Sequence, residues 1–110
     1  MSALSVQAVY YNRFCLLVLS GELDVLSAPQ VRRALTEVLS RRNRIVVDAA
    51  RLTFCDCTGI RVLAGGHRRA VAAGGGLSLA FAHGLLQRLL EIDRCIGAGP
   101  GGELVTTLRW

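Results

Sequence analysis

Residues 54–63 read Phe54-Cys55-Asp56-Cys57-Thr58-Gly59-Ile60-Arg61-Val62-Leu63, and the hydrophobic period changes within that stretch. Ahead of it, Arg44 to Asp48 holds Ile45, Val46 and Val47, a β-branched run that suits a central strand of a parallel pair. Leu52 and Phe54 carry the chain on to Asp56. From Thr58 onward, Ile60, Leu63, Ala64, Ala70 and Val71 recur on one helical face, and Thr58 is placed to cap the first turn. The helix is predicted to stop at Gly74-Gly75-Gly76, since glycine adopts the left-handed backbone that closes helices. A strand feeding a helix, with further strands on both sides, points to an α/β sheet fold.

Working outward, Phe14 to Leu19 is a continuous apolar run ended by Ser20 and Gly21, the pattern of a strand buried on both faces. Leu4 to Tyr10 is a weaker strand, and Tyr11, Asn12 and Arg13 join the two as an antiparallel hairpin. The segment Glu22 to Ser27 is read as polar and leads to Pro29, which suits the first turn of a helix because its missing N–H is not needed there. Ser27 or Ala28 marks the entrance to that helix. Ala28, Val31, Leu35, Val38 and Leu39 form its apolar stripe, with Gln30, Arg33 and Glu37 opposite.

Beyond the three glycines, Leu77 to Phe81 is a further strand and Gly84 to Ile92 a third helix with a broad apolar arc. That arc suits either a partner or burial under the following loop. The loop from Gly97 to Gly102 lacks the Gly-Lys-Ser or Gly-Lys-Thr of a phosphate-binding loop, and a last edge strand, Glu103 to Arg109, closes the sheet. The predicted order is β-β-α-β-α-β-α-β: a mixed sheet of about five strands, with right-handed helical crossovers and helices packed mainly on one face. Residues 1–110 are taken as one domain.

The chain is 52% hydrophobic, enough for a core and against disorder. Its net charge of +5 comes wholly from arginine, since there is no lysine. These arginines are scattered and not interleaved with stacking aromatics, so no direct nucleic-acid binding is expected. No apolar run reaches the roughly 18 to 20 residues of a membrane span. The start of the chain lacks the basic lead and apolar core of a secretory signal, which points to the cytoplasm. Cys15, Cys55, Cys57 and Cys95 are then expected reduced. Cys55 and Cys57 form a C-x-C without a second pair, so no four-ligand metal site is expected. His67 falls in the apolar stripe of the second helix and is read as a packed histidine.

Two motifs carry a family resemblance. Ser20-Gly21-Glu22-Leu23-Asp24 followed by Ala28-Pro29 resembles the second-strand exit and first-helix entrance of STAS domains, and residues 54–63 resemble that family's switch segment. There an aspartate stands two residues before a serine or threonine, with glycine after it. The spacing between the motifs is also the family's, and the resemblance covers nearly the whole chain. The chain departs at Cys57, where the family usually has serine, and carries threonine at 58.

Independently of any family, a hydroxyl at an exposed helix start is accessible, and a phosphate there would sit beside free backbone N–H groups. From position alone, Thr58 reads more readily as a simple N-cap than as a phosphoacceptor, and Asp24 equally as a turn or capping carboxylate. The resemblance implies an anti-sigma factor antagonist. Its unphosphorylated form binds an anti-sigma factor serine/threonine kinase and frees a sigma factor, and phosphorylation reverses this. It implies Thr58 as phosphoacceptor and Asp24, Asp56, Cys57, Thr58, Gly59 and Arg61 as the partner-binding set. Asp56 would orient the hydroxyl or help hold the kinase's magnesium and nucleotide. Whether a phosphatase resets the switch is left open. No cofactor is implied, and the two histidines and few acids do not assemble a base, nucleophile and oxyanion donor, so an enzyme is not expected. The alternative within the same fold is a STAS subunit of a membrane lipid-transport complex that grips a cytoplasmic ABC-type ATPase.

Overall fold

The computed structural model describes residues 3–84 together with the backbone of residues 105–108. Strand β1, Leu4–Tyr10, pairs antiparallel with β2, Cys15–Leu23, from Tyr10 opposite Cys15 to Leu4 opposite Gly21. The connecting turn is closed by Tyr11 N–H donating to the Phe14 carbonyl at 2.9 Å, and the Tyr11 and Phe14 rings stack with centroids 4.8 Å apart. Helix α1 spans Ala28–Leu39, β3 Arg44–Cys55, α2 Cys57–Ala72, β4 Gly76–Ala80 and β5 Val105–Leu108. β2, β3, β4 and β5 are parallel, and the sheet order is β1-β2-β3-β4-β5.

The predicted α/β class, mixed five-stranded sheet and edge position of the last strand are all present. The expected helix from Gly84 to Ile92 lies, beyond Gly84, outside the described residues. Strand β4 is displaced by one residue from the predicted Leu77–Phe81, and two predicted boundaries differ by more. β2 does not end at Ser20-Gly21 but runs on to Leu23, because Gly21 takes up the irregularity: its φ is +108°, and the register with β3 shifts on either side of it. A side chain there would also collide with the Ala3 carbonyl, so Gly21 answers both a backbone and a space requirement. β3 likewise continues past Asp48 to Cys55, carried by pairing with the extended end of β2 instead of by hydrophobic alternation.

Both helices lie on one face of the sheet. Cys15, Leu17 and Leu19 of β2, Ile45 and Val47 of β3, and Leu77 and Leu79 of β4 point into a core that also takes Val31, Leu35 and Val38 of α1 and Ile60 and Leu63 of α2. Each such large side chain contributes about 1.5–3 kcal/mol by leaving water. Gly66 of α2 is part of this packing, since a Cβ there would come within 2.7 Å of Leu35 Cδ1. His67 is buried, and its Nδ1 accepts from the Leu77 N–H at 3.1 Å, pinning α2 to β4; the packed reading holds. α2 closes at the glycines as predicted, with Gly74 at φ +88° and the Gly75 N–H donating to the Ala70 carbonyl at 2.8 Å. Among the described residues, no helix is long and apolar enough to cross a membrane.

Candidate functional site

Because β2 and β3 are parallel neighbours, they leave the sheet at the same edge. Leu23 is in register with Cys55, and the Asp56 N–H donates to the Leu23 carbonyl at 3.2 Å. The two sequence motifs, remote along the chain, thus meet as adjacent loops. This is the carboxyl edge of the parallel strands, where α/β sheets present their functional groups.

In the first loop Asp24 is tied into a turn: its Oδ1 accepts from the N–H groups of Leu26 at 3.0 Å and Ser27 at 3.1 Å. Ser27, at the helix entrance, is buried; its Oγ accepts from the Asp24 N–H at 2.9 Å and donates to the Glu22 carbonyl at 2.8 Å. So Ser27 spends its hydroxyl on the loop and not on an N-cap hydrogen bond for α1. The turn carboxylate role weighed for Asp24 is the one its contacts display. This wiring leaves the loop crest outside, with Val25 64% and Leu26 68% exposed. The segment read as polar therefore carries two exposed aliphatic side chains, and Phe54 at the end of β3 adds an aromatic ring that is 42% exposed. Sequence reasoning missed all three. The available signal was an aliphatic pair in a short loop whose backbone is already held by Asp24 and Ser27.

In the second loop the cap of α2 is Asp56, not Thr58. Asp56 has extended backbone (φ −102°, ψ −175°), and its Oδ1 accepts from the Gly59 N–H at 3.0 Å. The reason is positional: α2 begins at Cys57, so Asp56 is the last non-helical residue, and a carboxylate also complements the positive helix N-terminus. Thr58 is thereby left in the first turn of α2, half-buried, with its hydroxyl not used for capping. Gly59 is buried: a Cβ would stand 2.7 Å from Leu23 Cγ and 2.9 Å from Cys55 Sγ, so its contribution is to seat the helix start on the strand ends.

Cys57 is half-buried against the core, while Cys55 is buried. Burial, then the neighbouring Asp56 carboxylate and Cys57, push the Cys55 thiol up to about 12; burial likewise raises Cys15. Neither is an activated nucleophile. Arg61 is exposed one turn after Thr58 and lines with it a groove between α1 and α2. Of the predicted set, Asp24, Asp56, Thr58 and Arg61 thus gather at one edge, with Cys57 and Gly59 forming the packed underside. Among the described residues, no group of three metal-ligating side chains comes together.

A family model described as Mlab, STAS domain matches residues 13–95. The solved structure of the anti-sigma factor antagonist SpoIIAA in its unphosphorylated form superposes with a TM-score of 0.69, at 22% identity, over 80% of this chain and 83% of that one. The Bacillus cell fate determinant SpoIIAA in the phosphorylated form gives a TM-score of 0.70, also at 22% identity, over 81% and 83%. An anti-sigma factor antagonist from Mycobacterium paratuberculosis gives 0.66 at 21% identity, over 86% of each chain. At these identities the structural likeness speaks for the fold. The sheet order, the paired loops at its carboxyl edge and a family match over most of the chain converge: this chain belongs to the STAS domain family.

Proposed function

We propose that the chain is an anti-sigma factor antagonist, whose unphosphorylated form binds an anti-sigma factor serine/threonine kinase and frees a sigma factor. Phosphorylation of Thr58 switches that binding off. The observation that supports this best is the position of Thr58: in the first turn of α2, spared from capping by Asp56, and at the sheet edge where Val25, Leu26 and Phe54 stand exposed. Exposed aliphatic and aromatic groups beside a hydroxyl make a docking face that one covalent change alters. A phosphate adds about −1.5 to −2 charges, is held favourably at a helix N-terminus, and leaves the fold intact while placing charge and bulk beside the apolar contacts. In this reading Asp24 shapes the loop crest and Asp56 the helix start, so both act on the partner by positioning. The protein works by docking in the cytoplasm and catalyses no reaction itself.

The experiment is to mix the protein with a candidate anti-sigma kinase and ATP. Wild type takes up phosphate, Thr58→Ala does not, and the phosphorylated protein loses the kinase. Equal phosphate uptake by wild type and Thr58→Ala sinks the assignment. Stable capture of an ABC-type ATPase, with no kinase bound, replaces it with the lipid-transport alternative.

A further inference from the structure

The groove between α1 and α2 has a volume of about 510 Å³ and is walled by Arg32 and Thr36 of α1 and by Thr58, Arg61, Gly65 and Arg69 of α2. Positions 58, 61, 65 and 69 recur at helical spacing, so they form one stripe, which extends about 16 Å at about 1.5 Å per residue. Three arginines line this groove together with the apolar Val62, and among the described residues no carboxylate does. Outside the groove, Arg41 lies 3.8 Å over the Tyr10 ring and Arg42 donates to the Tyr11 carbonyl at 2.9 Å, while Arg13, Arg33, Arg44, Arg51 and Arg68 are exposed and do not line it. Arg69 reaches across the groove to Thr36 Oγ1 at 2.8 Å, whereas Arg32 and Arg61 are exposed and make no ion pair among the described residues.

Gly65 supplies an independent observation. Gly59 and Gly66 are required by Leu23, Cys55 and Leu35, which a Cβ would strike, but at Gly65 the nearest atom to a Cβ is the Arg68 guanidinium at 3.8 Å. Among the described residues nothing needs a glycine there, and glycine weakens a helix interior. A bare backbone in the floor of a basic groove lets another chain lie close against α2.

We infer that this groove is a docking site for an acidic segment of a partner protein, its carboxylates paired with Arg32, Arg61 and Arg69 and its backbone lying over Gly65. A single phosphate is too short to use a groove with arginines at both ends, whereas a segment of two to three helical turns, about 11–16 Å long, spans it. The inference rests on the docking reading above for its kind of ligand and extends that surface from the sheet edge along the α1–α2 face.

The test uses a fluorescein-labelled peptide of about twelve residues with glutamates at i, i+4 spacing, long enough as a helix to cover the stripe. Anisotropy gives its affinity at low and high salt, and amide chemical shifts locate it. The expected result is salt-sensitive binding with shifts confined to the groove residues. Joint Arg61→Glu and Arg69→Glu substitution weakens it at least about tenfold, as does Gly65→Leu, which leaves the charge unchanged. Arg44→Glu with Arg51→Glu, exposed positions on β3, changes it by less than about twofold. Equal loss in the two charge-reversed proteins, shifts spread over the surface, or full binding by Gly65→Leu overturns the proposal. Arg61→Gln with Arg69→Gln repeats the charge arm should the reversal unfold the protein. No kinase or ATP takes part, so a failure here leaves the Thr58 switch standing, and a phosphate-free Thr58 leaves the groove result standing.

Discussion

Asp56→Ala and Asp56→Asn, compared side by side, separate the two things this carboxylate does at the start of α2. The wild-type Oδ1 accepts from the Gly59 N–H at 3.0 Å and places negative charge at the positive end of a helix that runs to Ala72. Losing a side-chain N-cap costs about 1 kcal/mol, and losing the charge a further 0.3–1 kcal/mol or so. Alanine removes both, for a total near 1.5 kcal/mol, whereas asparagine keeps an acceptor of the same length and forfeits only the charge. For a domain of this size the alanine protein is expected to melt about 5–10 °C below wild type and the asparagine protein within about 5 °C of it. Thermal unfolding followed by circular dichroism supplies the numbers, and the Gly59 amide proton shift reports the hydrogen bond directly. If asparagine falls as far as alanine, the cap is not what holds the helix start. If neither moves, the Asp56 carboxylate does not cap α2 and is free for a partner. Asp56→Asn is also the variant in which to measure kinase binding, since it removes the charge while keeping the helix entrance.

Three further outcomes follow from the same contacts. Gly59→Ala forces a Cβ to 2.7 Å from Leu23 Cγ and is expected to destabilise by about 1–3 kcal/mol, while Gly65→Ala, whose Cβ meets only the Arg68 guanidinium at an ordinary contact of 3.8 Å, stabilises by up to about 1 kcal/mol; opposite signs in chemical denaturation check the pair. Ser27→Ala strands the Asp24 N–H and the Glu22 carbonyl and costs about 1–3 kcal/mol, with faster amide exchange in the loop that bears Val25 and Leu26. Cys55 resists thiol alkylation at pH 8 in the folded protein and reacts on unfolding, because burial lifts its thiol from 9.0 to about 12. The native state holds that proton longer than the unfolded chain does, so this group makes stability fall as pH rises from 9 towards 12 and leaves it unaffected below; Cys55→Ala weakens the dependence, and Cys15, also raised by burial, retains its share.

The amino-acid sequence by itself determined the alternation of strands and helices, the hairpin, the apolar stripes of α1 and α2 and the closure of α2 at Gly74, since each is written in local periodicity and turn chemistry. It also marked the two motifs that form the site. What it left undecided depends on neighbours. Whether Asp56 or Thr58 caps α2 turns on where β3 ends, and β3 runs to Cys55 because the end of β2 pairs with it, not because of its own hydrophobic pattern. Val25 and Leu26 look like ordinary apolar residues until Asp24 and Ser27 consume the polar groups of their loop and leave them outside. Arginines scattered along two helices become a groove only when α1 and α2 lie side by side on one face of the sheet. Local structure follows from steric and hydrogen-bonding preferences of nearby residues, whereas exposure and charge clustering are properties of surfaces that tertiary packing brings together.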